Sequence, residues 1–241
     1  FWSRCEQDAL DALIVEERQD CLRLDRAGLL GLHPALRPRV IRRALCRVRG
    51  DLKGIDAAHL ARLETLAESG GAQDEVDLPR AWAGRRYDHF LVARQAPPMP
   101  ADYCLTIDGP GSWPLPGGGR VVVSLVPAAE AGPDPDPRVA QFSFELPFPL
   151  QVRNFRPGDR IALPRVAGRK KLKDLFIDEK VDKEVRRALP LVARDGEVLW
   201  VAGLRRSCRH LPADGAPQVL RIEFSGCPAL DNWLVNSGGL C

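Results

Sequence analysis

The residues with the clearest chemical potential in this sequence are cations, concentrated between Arg153 and Arg187. That stretch holds twelve Lys/Arg and six Asp/Glu, a local net charge of +6, whereas the whole chain of 241 residues carries only +3. Positive charge gathered in one segment is typical of a surface that binds phosphate groups. The alternative is a solvated helix face whose lysines have no partner.

The elements expected to position these cations begin with a turn and a helix. Arg156-Pro157-Gly158-Asp159 has the composition of a tight turn, since Pro presets φ and Gly is free to adopt a positive φ. Leu172, Leu175 and Phe176 follow with helical spacing. The sequence therefore predicts a helix that buries this apolar stripe and directs its lysines away from the core.

A second short helix and a hairpin complete the basic region. Asp182 is a suitable N-cap for a helix that ends at Pro190. Asp195-Gly196 lies between two apolar runs and is a strong signal for a two-residue β-hairpin.

Four successive patterns in this region carry a resemblance: V-R-N-F-R-P-G-D-R-I, K-K-L-K-D-L-F-I-D-E-K-V, R-R-A-L-P-L-V and V-L-W-V-A-G-L-R. In order, and almost without gaps, they are similar to the C-terminal domain of bacterial tRNA(Ile)-lysidine synthetase. The resemblance implies a cytoplasmic, ATP-dependent ligase that modifies tRNA. Such an enzyme joins lysine to the wobble cytidine of an isoleucine tRNA with a CAU anticodon, which allows AUA to be decoded.

This chain is expected to supply the tRNA-binding part of such an enzyme, because cations at the turn and around the helix are placed to clamp phosphates of a tRNA stem. The expected tRNA-binding residues are Arg153, Arg156, Arg160, Arg169, Lys170, Lys171, Lys173, Arg186, Arg187 and Arg205. Replacing Lys170 and Lys171 is expected to weaken tRNA binding and to leave the fold intact.

The fold class expected is α+β. A small helical middle domain, closed by a two-stranded element, would precede a mixed α/β C-terminal domain with mainly antiparallel strands, similar to a domain of the phenylalanyl-tRNA synthetase beta subunit. The expected divisions are a helix leading out of a missing ATPase domain (1–24), a substrate-binding middle domain (25–95), a linker (96–100), a tRNA-binding domain (101–224) and a loosely packed tail (225–241).

Within the first part, Cys5–Cys21 is predicted to be one helix, and Val76–Pro79 and Tyr87–Ala93 are predicted to be two strands. A further helix carries a stripe of arginines between Arg37 and Arg49. That basic face is interpreted either as an RNA contact or as plain solvation. The Pro-rich segment at 96–100 is expected to be extended and fairly stiff.

Ser69-Gly70-Gly71 looks like the start of the family's ATP loop, S-G-G-x-D-S, but its context is wrong. It follows a predicted helix and precedes a predicted strand, the Asp comes one position late, and no Ser follows that Asp. Gly70 and Gly71 are therefore interpreted as helix C-cap residues with positive φ.

No catalytic, cofactor-binding or metal-binding residue is predicted in this chain. The four His, at positions 33, 59, 89 and 210, are far apart in sequence, and the set Cys208, His210 and Cys227 matches no common zinc spacing. The seven Cys include no C-x-x-C pair. ATP and Mg²⁺ are expected to bind the missing N-terminal ATPase domain, so this chain alone is expected to be inactive.

The partners expected from the resemblance are tRNA, the missing ATPase domain and, in the parent protein, a second copy forming a homodimer. No apolar run of about 18 residues is present, so no membrane partner is expected. The chain is expected to be cut from a longer protein, since it begins with Phe. A non-catalytic protein-interaction module of the synthetase-beta class is the alternative function.

Overall fold

The structure is a computed structural model that describes residues 2–132, 136–166 and 168–236. The chain divides into two compact units, Phe1–Pro98 and Met99–Cys241. The boundary lies inside the Pro-rich segment 96–100, which contains no helix or strand.

The first unit packs helices against one face of an antiparallel sheet. Its described helices are α1 (Trp2–Leu13), α2 (Arg26–Gly31), α3 (Arg37–Arg49) and α4 (Ala57–Glu68). Its described strands are β1 (Ile14–Arg18), β2 (Cys21–Asp25), β3 (Glu75–Leu78), β4 (Ala81–Arg86) and β5 (His89–Ala93), arranged in the order β1-β2-β5-β4-β3.

Helices α3 and α4 form where the apolar periodicity predicts them. The apolar stripe of α3 is buried, and Asp56 caps α4 by accepting a hydrogen bond from the His59 amide. The stripe consists of Val40, Ile41, Ala44, Leu45 and Val48. Burial of this stripe supplies most of the hydrophobic stabilisation that α3 can contribute.

The predicted helix Cys5–Cys21 is wrong in its second half. Helix α1 ends at Leu13, and the chain continues directly into β1, which pairs with β2. Helical spacing of Leu10, Leu13 and Ile14 cannot distinguish a helix that continues from one that joins a strand, because both place Ile14 against the core. Residues 14–24 therefore belong to the sheet of the first unit and not to a helix leading out of another domain.

The two strands predicted for the first unit are also too few, since its sheet has five described strands. Arg80 and Tyr87, at φ 53° and 51°, form two tight turns, so Ala81–Arg86 becomes a strand between its neighbours. Non-glycine residues rarely adopt a positive φ, and neither residue type signals a turn in the sequence.

Gly70 and Gly71 are not the helix C-cap residues that the sequence predicts, because the C-cap of α4 is Ser69 and neither glycine has a positive φ. The Gly70 amide donates to the Thr65 carbonyl, and the Gly71 amide donates to the Asp74 carboxylate. A Cβ on Gly70 would lie 2.8 Å from the Leu66 carbonyl oxygen, so close approach and not φ requires glycine here. The segment lies between α4 and β3, which is not the strand-to-helix context of a phosphate loop.

Most arginines of α3 form ion pairs with acidic residues of the first unit. Arg39 and Arg43 contact Glu6, while Arg47 contacts Asp11 and Glu17 at 2.6 Å each. Hydrogen bonds from Gln7 and Arg47 lower the pKa of Asp11 below its usual value. These contacts attach α1 and β1 to α3, which gives several arginines of the stripe a structural role.

The second unit contains two sheets over a shared core. The strands of the larger sheet are β6 (Cys104–Ile107), β10 (Leu150–Arg153), β11 (Arg160–Ile161), β12 (Lys170–Lys171), β13 (Leu191–Arg194), β14 (Glu197–Val201) and β15 (Arg205–Arg206). Those of the smaller sheet are β7 (Gly111–Pro114), β8 (Arg120–Pro127), β9 (Val139–Ser143) and β16 (Gln218–Ser225). The strand order is β12-β11-β14-β13-β10-β6 in the larger sheet, with β15 also paired to β14, and β7-β8-β16-β9 in the smaller sheet.

Four helices are described beside these sheets: α5 (Ala128–Ala131), α6 (Leu172–Asp178), α7 (Lys183–Ala188) and α8 (Pro228–Asn236). Among the described residues of this unit, every strand pairing is antiparallel except β11 with β14. The mixed α/β architecture with mainly antiparallel strands confirms the expected α+β class.

The basic region folds as its sequence predicts in most respects. Leu172, Leu175 and Phe176 are buried on α6, and Asp195-Gly196 joins β13 to β14 with both residues at positive φ. Asp182 precedes α7, but its side chain makes no capping hydrogen bond to that helix.

Pro228–Asn236 form a packed helix, where the sequence predicts a loosely packed tail. Helix α8 inserts Leu230 into the core, and the Trp233 indole donates to the Gly203 carbonyl at 3.1 Å. Gly203 permits this approach, since a Cβ there would lie 2.6 Å from Leu230. Residues 237–241 of the predicted tail lie outside the described residues.

None of the described helices is both long enough and apolar enough to cross a lipid bilayer.

Limited digestion with proteinase K is expected to cut first between residues 94 and 103. That segment has no helix or strand and is mostly exposed, whereas both flanking strands belong to sheets. Mass spectrometry should recover fragments that correspond to the two units. First cuts confined to residues 168–190 would contradict this division.

Candidate nucleic-acid interface

A buried ion pair builds the turn at the start of the basic region. Arg153, only 3% exposed, donates from both terminal nitrogens to the Asp159 carboxylate at 2.8 Å. The same carboxylate accepts from the Arg156 amide at 2.8 Å. The structure corrects the prediction that Arg153 binds tRNA, because its charge is neutralised inside the protein.

Asn154 connects this turn to two other elements. Its side chain donates to the Arg187 carbonyl at 2.5 Å and accepts from the Tyr103 amide at 2.7 Å. Burial raises the pKa of Tyr103, so its phenol stays neutral. Phe155 packs edge-on against Phe176, with ring centroids 5.2 Å apart, which links the turn to α6.

The turn leads into a short ladder that brings predicted cations together. Arg160 of β11 lies directly opposite Lys171 of β12, and the Arg160 guanidinium reaches the Arg169 carbonyl at 3.4 Å. The Leu172 amide donates to the Asp159 carbonyl at 2.8 Å, which anchors the start of α6 beside the turn. Paired residues in an antiparallel ladder share one face, so Arg160 and Lys171 form a compact cationic group.

Six of the ten predicted residues have exposed side chains, and we call them the exposed basic surface. They are Arg156, Arg160, Arg169, Lys171, Lys173 and Arg187. The turn, the β11–β12 ladder, the first turn of α6 and the end of α7 carry them. Separate cations on several anchored elements are suited to contact successive phosphates along a nucleic-acid backbone.

Three further predicted residues have internal partners. Lys170 binds the Asp178 carboxylate, and Arg205 binds Glu179 at 2.6 Å. Arg186 donates to the Val181 carbonyl and lies over the Phe176 ring at 5.8 Å. These cations are therefore less available to a ligand than the exposed basic surface is.

The sequence analysis does not identify the carboxylates that form ion pairs with Arg153, Lys170 and Arg205. Asp159, Asp178 and Glu179 lie close to the cations in sequence, yet only the fold shows which cation each one binds. For Asp159 the sequence does hold a signal, since an acid that ends a Pro-Gly turn often closes it by accepting backbone amides.

The described part of the chain holds no group of three or more His, Cys, Asp or Glu that could bind a metal ion. Cys208, His210 and Cys227 do not converge on such a site. His59 Nδ1 instead accepts a hydrogen bond from the Asp56 amide, and His89 Nδ1 lies 3.0 Å from a terminal nitrogen of Arg23.

Replacing Asp159 with Asn, or Arg153 with Met, should lower the free energy of unfolding of the second unit by about 3–5 kcal/mol, because each change leaves a buried partner charge unpaired. Urea unfolding of the whole chain, with hydrogen exchange of β10 and β13 amides, measures this. The pair Arg194–Asp195, whose carboxylate side chain is 75% exposed, supplies the control, and Asp195→Asn should cost no more than about 1 kcal/mol. Equal, small effects at both pairs would contradict the structural role of Arg153.

Two family models match the chain, one in each unit. The TilS substrate binding domain matches residues 24–92, and the TilS substrate C-terminal domain matches residues 150–224. The second match contains the buried ion pair and the exposed basic surface.

Curated relatives match almost the whole chain. It is 38% identical over 232 residues to the tRNA(Ile)-lysidine synthase of Geobacter sulfurreducens, which covers 92% of this chain and 48% of the relative. It is 29% identical over 233 residues to the synthase of Geobacillus kaustophilus, covering 93% and 49%. The chain thus spans about half the length of these relatives.

A solved structure described as the crystal structure of a TILS C-terminal domain is also similar, at 26% identity and a TM-score of 0.45. The similarity covers 52% of this chain and 98% of that one. The two family matches in chain order and the sequence relatives show that this chain belongs to the tRNA(Ile)-lysidine synthetase family, as its substrate-binding and C-terminal domains.

Proposed function

We propose that this chain is the tRNA-binding part of a tRNA(Ile)-lysidine synthetase. The observation that carries the proposal is the match of residues 150–224 to the family's substrate C-terminal domain, together with exposed cations on that same segment. An A-form stem is contacted through its phosphates and 2′-hydroxyl groups, and such contacts need exposed cations on a rigid frame. Sequence selectivity from this segment alone should therefore be modest.

The proposed parent protein is a cytoplasmic ligase. It would join lysine to the wobble cytidine of an isoleucine tRNA with a CAU anticodon, at the expense of ATP. ATP and Mg²⁺ would bind an N-terminal ATPase domain, and the parent would act as a homodimer. The names of the relatives, of which this chain covers about half, support the assignment to a ligase of this kind.

Affinity for an isoleucine tRNA transcript should fall as salt rises, and the double variant Arg160→Ala/Lys171→Ala should flatten that dependence. Removing one phosphate contact should reduce the slope of log affinity against log salt by about 0.7–0.9. Arg160 is a better choice than Lys170, since Lys170 already has a carboxylate partner. Fluorescence anisotropy over a salt series measures both quantities.

The matched control removes two exposed arginines outside the predicted set. Arg62 belongs to α4 and Arg120 to β8 of the smaller sheet, and both are exposed. Arg62→Ala/Arg120→Ala should bind with an unchanged slope, with circular dichroism confirming the fold of every variant. Equal slopes for both double variants and the wild type would remove the β11–β12 ladder from the tRNA surface and favour a protein-interaction module.

The chain by itself should transfer no lysine to tRNA. Its sequence lacks the family's S-G-G-x-D-S loop, and the similar Ser69-Gly70-Gly71 segment follows a helix. Incorporation of radiolabelled lysine into tRNA, with ATP present, tests this. Incorporation above that of a reaction without protein would contradict the prediction.

A further inference from the structure

We propose that Asp178 and Glu179, named here the carboxylate pair, limit how much of the positive charge in the second unit can reach RNA phosphate. This inference rests on the proposed function. The carboxylate pair holds Lys170 and Arg205, two cations that would otherwise extend the exposed basic surface. The pair would thereby act as a specificity element that weakens binding to polyanions in general.

The two ion pairs join α6 to the sheet on either side. Asp178 binds the ammonium group of Lys170, which belongs to β12. Glu179 binds Arg205 of β15 at 2.6 Å, and the other terminal nitrogen of Arg205 donates to the Leu204 carbonyl. Both cations are only partly exposed, at 26% and 41% of the side chain, so the bound carboxylates offset charge at the protein surface.

Lys170 and Arg205 adjoin the exposed basic surface through strand pairing. Lys170 precedes Lys171 and lies opposite Ile161, the neighbour of Arg160. β11 pairs with β14 at Val198, and β15 pairs with β14 at Val201. Because β13 occupies the other edge of β14, β11 and β15 follow each other along the same edge. Lys170 is therefore the chain neighbour of the exposed Lys171, and Arg205 lies on the same edge of β14 as the ladder that carries Arg160.

The position of the carboxylate pair on α6 calls for an explanation. Asp178 is the last residue of the helix and Glu179 is its C-cap, where the helix dipole is negative and carboxylates are disfavoured. No basic residue occupies the last turn of α6 to compensate. Helix stability therefore does not account for two acids here, whereas their contacts with Lys170 and Arg205 do.

Two effects on RNA follow from this arrangement. A phosphate approaching Lys170 or Arg205 must displace a carboxylate, and the carboxylates repel phosphates that arrive nearby. The affinity is then highest for an RNA whose phosphates match the positions of the six exposed cations. Other polyanions bind with lower affinity. An interaction that penalises the wrong partner is one general route to specificity.

The test compares Asp178→Asn and Glu179→Gln with Asp174→Asn, a change of equal charge on the exposed face of the same helix. The probes are an isoleucine tRNA transcript and a plain RNA duplex. Asp178→Asn should raise affinity several-fold for the plain duplex and less for the tRNA, and it should steepen the salt slope by about 0.7–0.9, because one cation is released. Glu179→Gln should act likewise, and Asp174→Asn should leave the slope unchanged.

A second variant shows whether the released cation is the cause. Lys170→Ala in the Asp178→Asn background should return affinity and slope to those of the wild type. Suppose that the wild type binds tRNA, and that Asp178→Asn and Glu179→Gln bind both RNAs with the same affinity and salt slope as the wild type. The inference about the carboxylate pair is then overturned, while the proposed function stands. An equal gain from Asp174→Asn would also overturn the inference, since net charge would then suffice. If the folded wild type binds neither RNA at low salt, the proposed function fails first.

Discussion

The ion pair between Arg153 and Asp159 organises the basic region of the second unit. Two charges taken out of water remain stable only when each finds hydrogen-bond partners, and this pair has two direct bonds at 2.8 Å and a third to the Arg156 amide. Its geometry fixes where β10 ends and β11 begins. The position of Arg160, and through the ladder that of Lys171, follows from that turn.

A consequence is that a basic segment divides into cations with different roles. Arg153 anchors the turn by its ion pair with Asp159, and Arg186 packs on the Phe176 ring. Lys170 and Arg205 form ion pairs with acidic residues. The remaining exposed cations stand on elements that these internal contacts hold in place. Rigid presentation reduces the entropy lost on binding, so exposed arginines on elements that buried contacts hold in place are suited to bind a ligand.

Much of this fold is predictable from short-range patterns. The stripe of Leu172, Leu175 and Phe176, the turn at Pro157-Gly158 and the hairpin at Asp195-Gly196 each depend on neighbours in sequence. The switch from α1 to β1 and the strand between Arg80 and Tyr87 are not predictable in this way, because they depend on pairing with distant strands. The same limit applies to the candidate site: composition shows that cations are abundant, but only tertiary contacts show which are already bound.

Lysine footprinting with and without tRNA tests the central claim most directly. Lys171 and Lys173, on the exposed basic surface, should lose reactivity towards an acetylating reagent when an isoleucine tRNA transcript is added, because phosphates would cover their ammonium groups. Lys53, an exposed lysine of the first unit outside that surface, is the internal reference. Protection of Lys171 and Lys173 well beyond that of Lys53 is the result expected here. Unchanged reactivity of both, under conditions where tRNA is bound, would contradict the account.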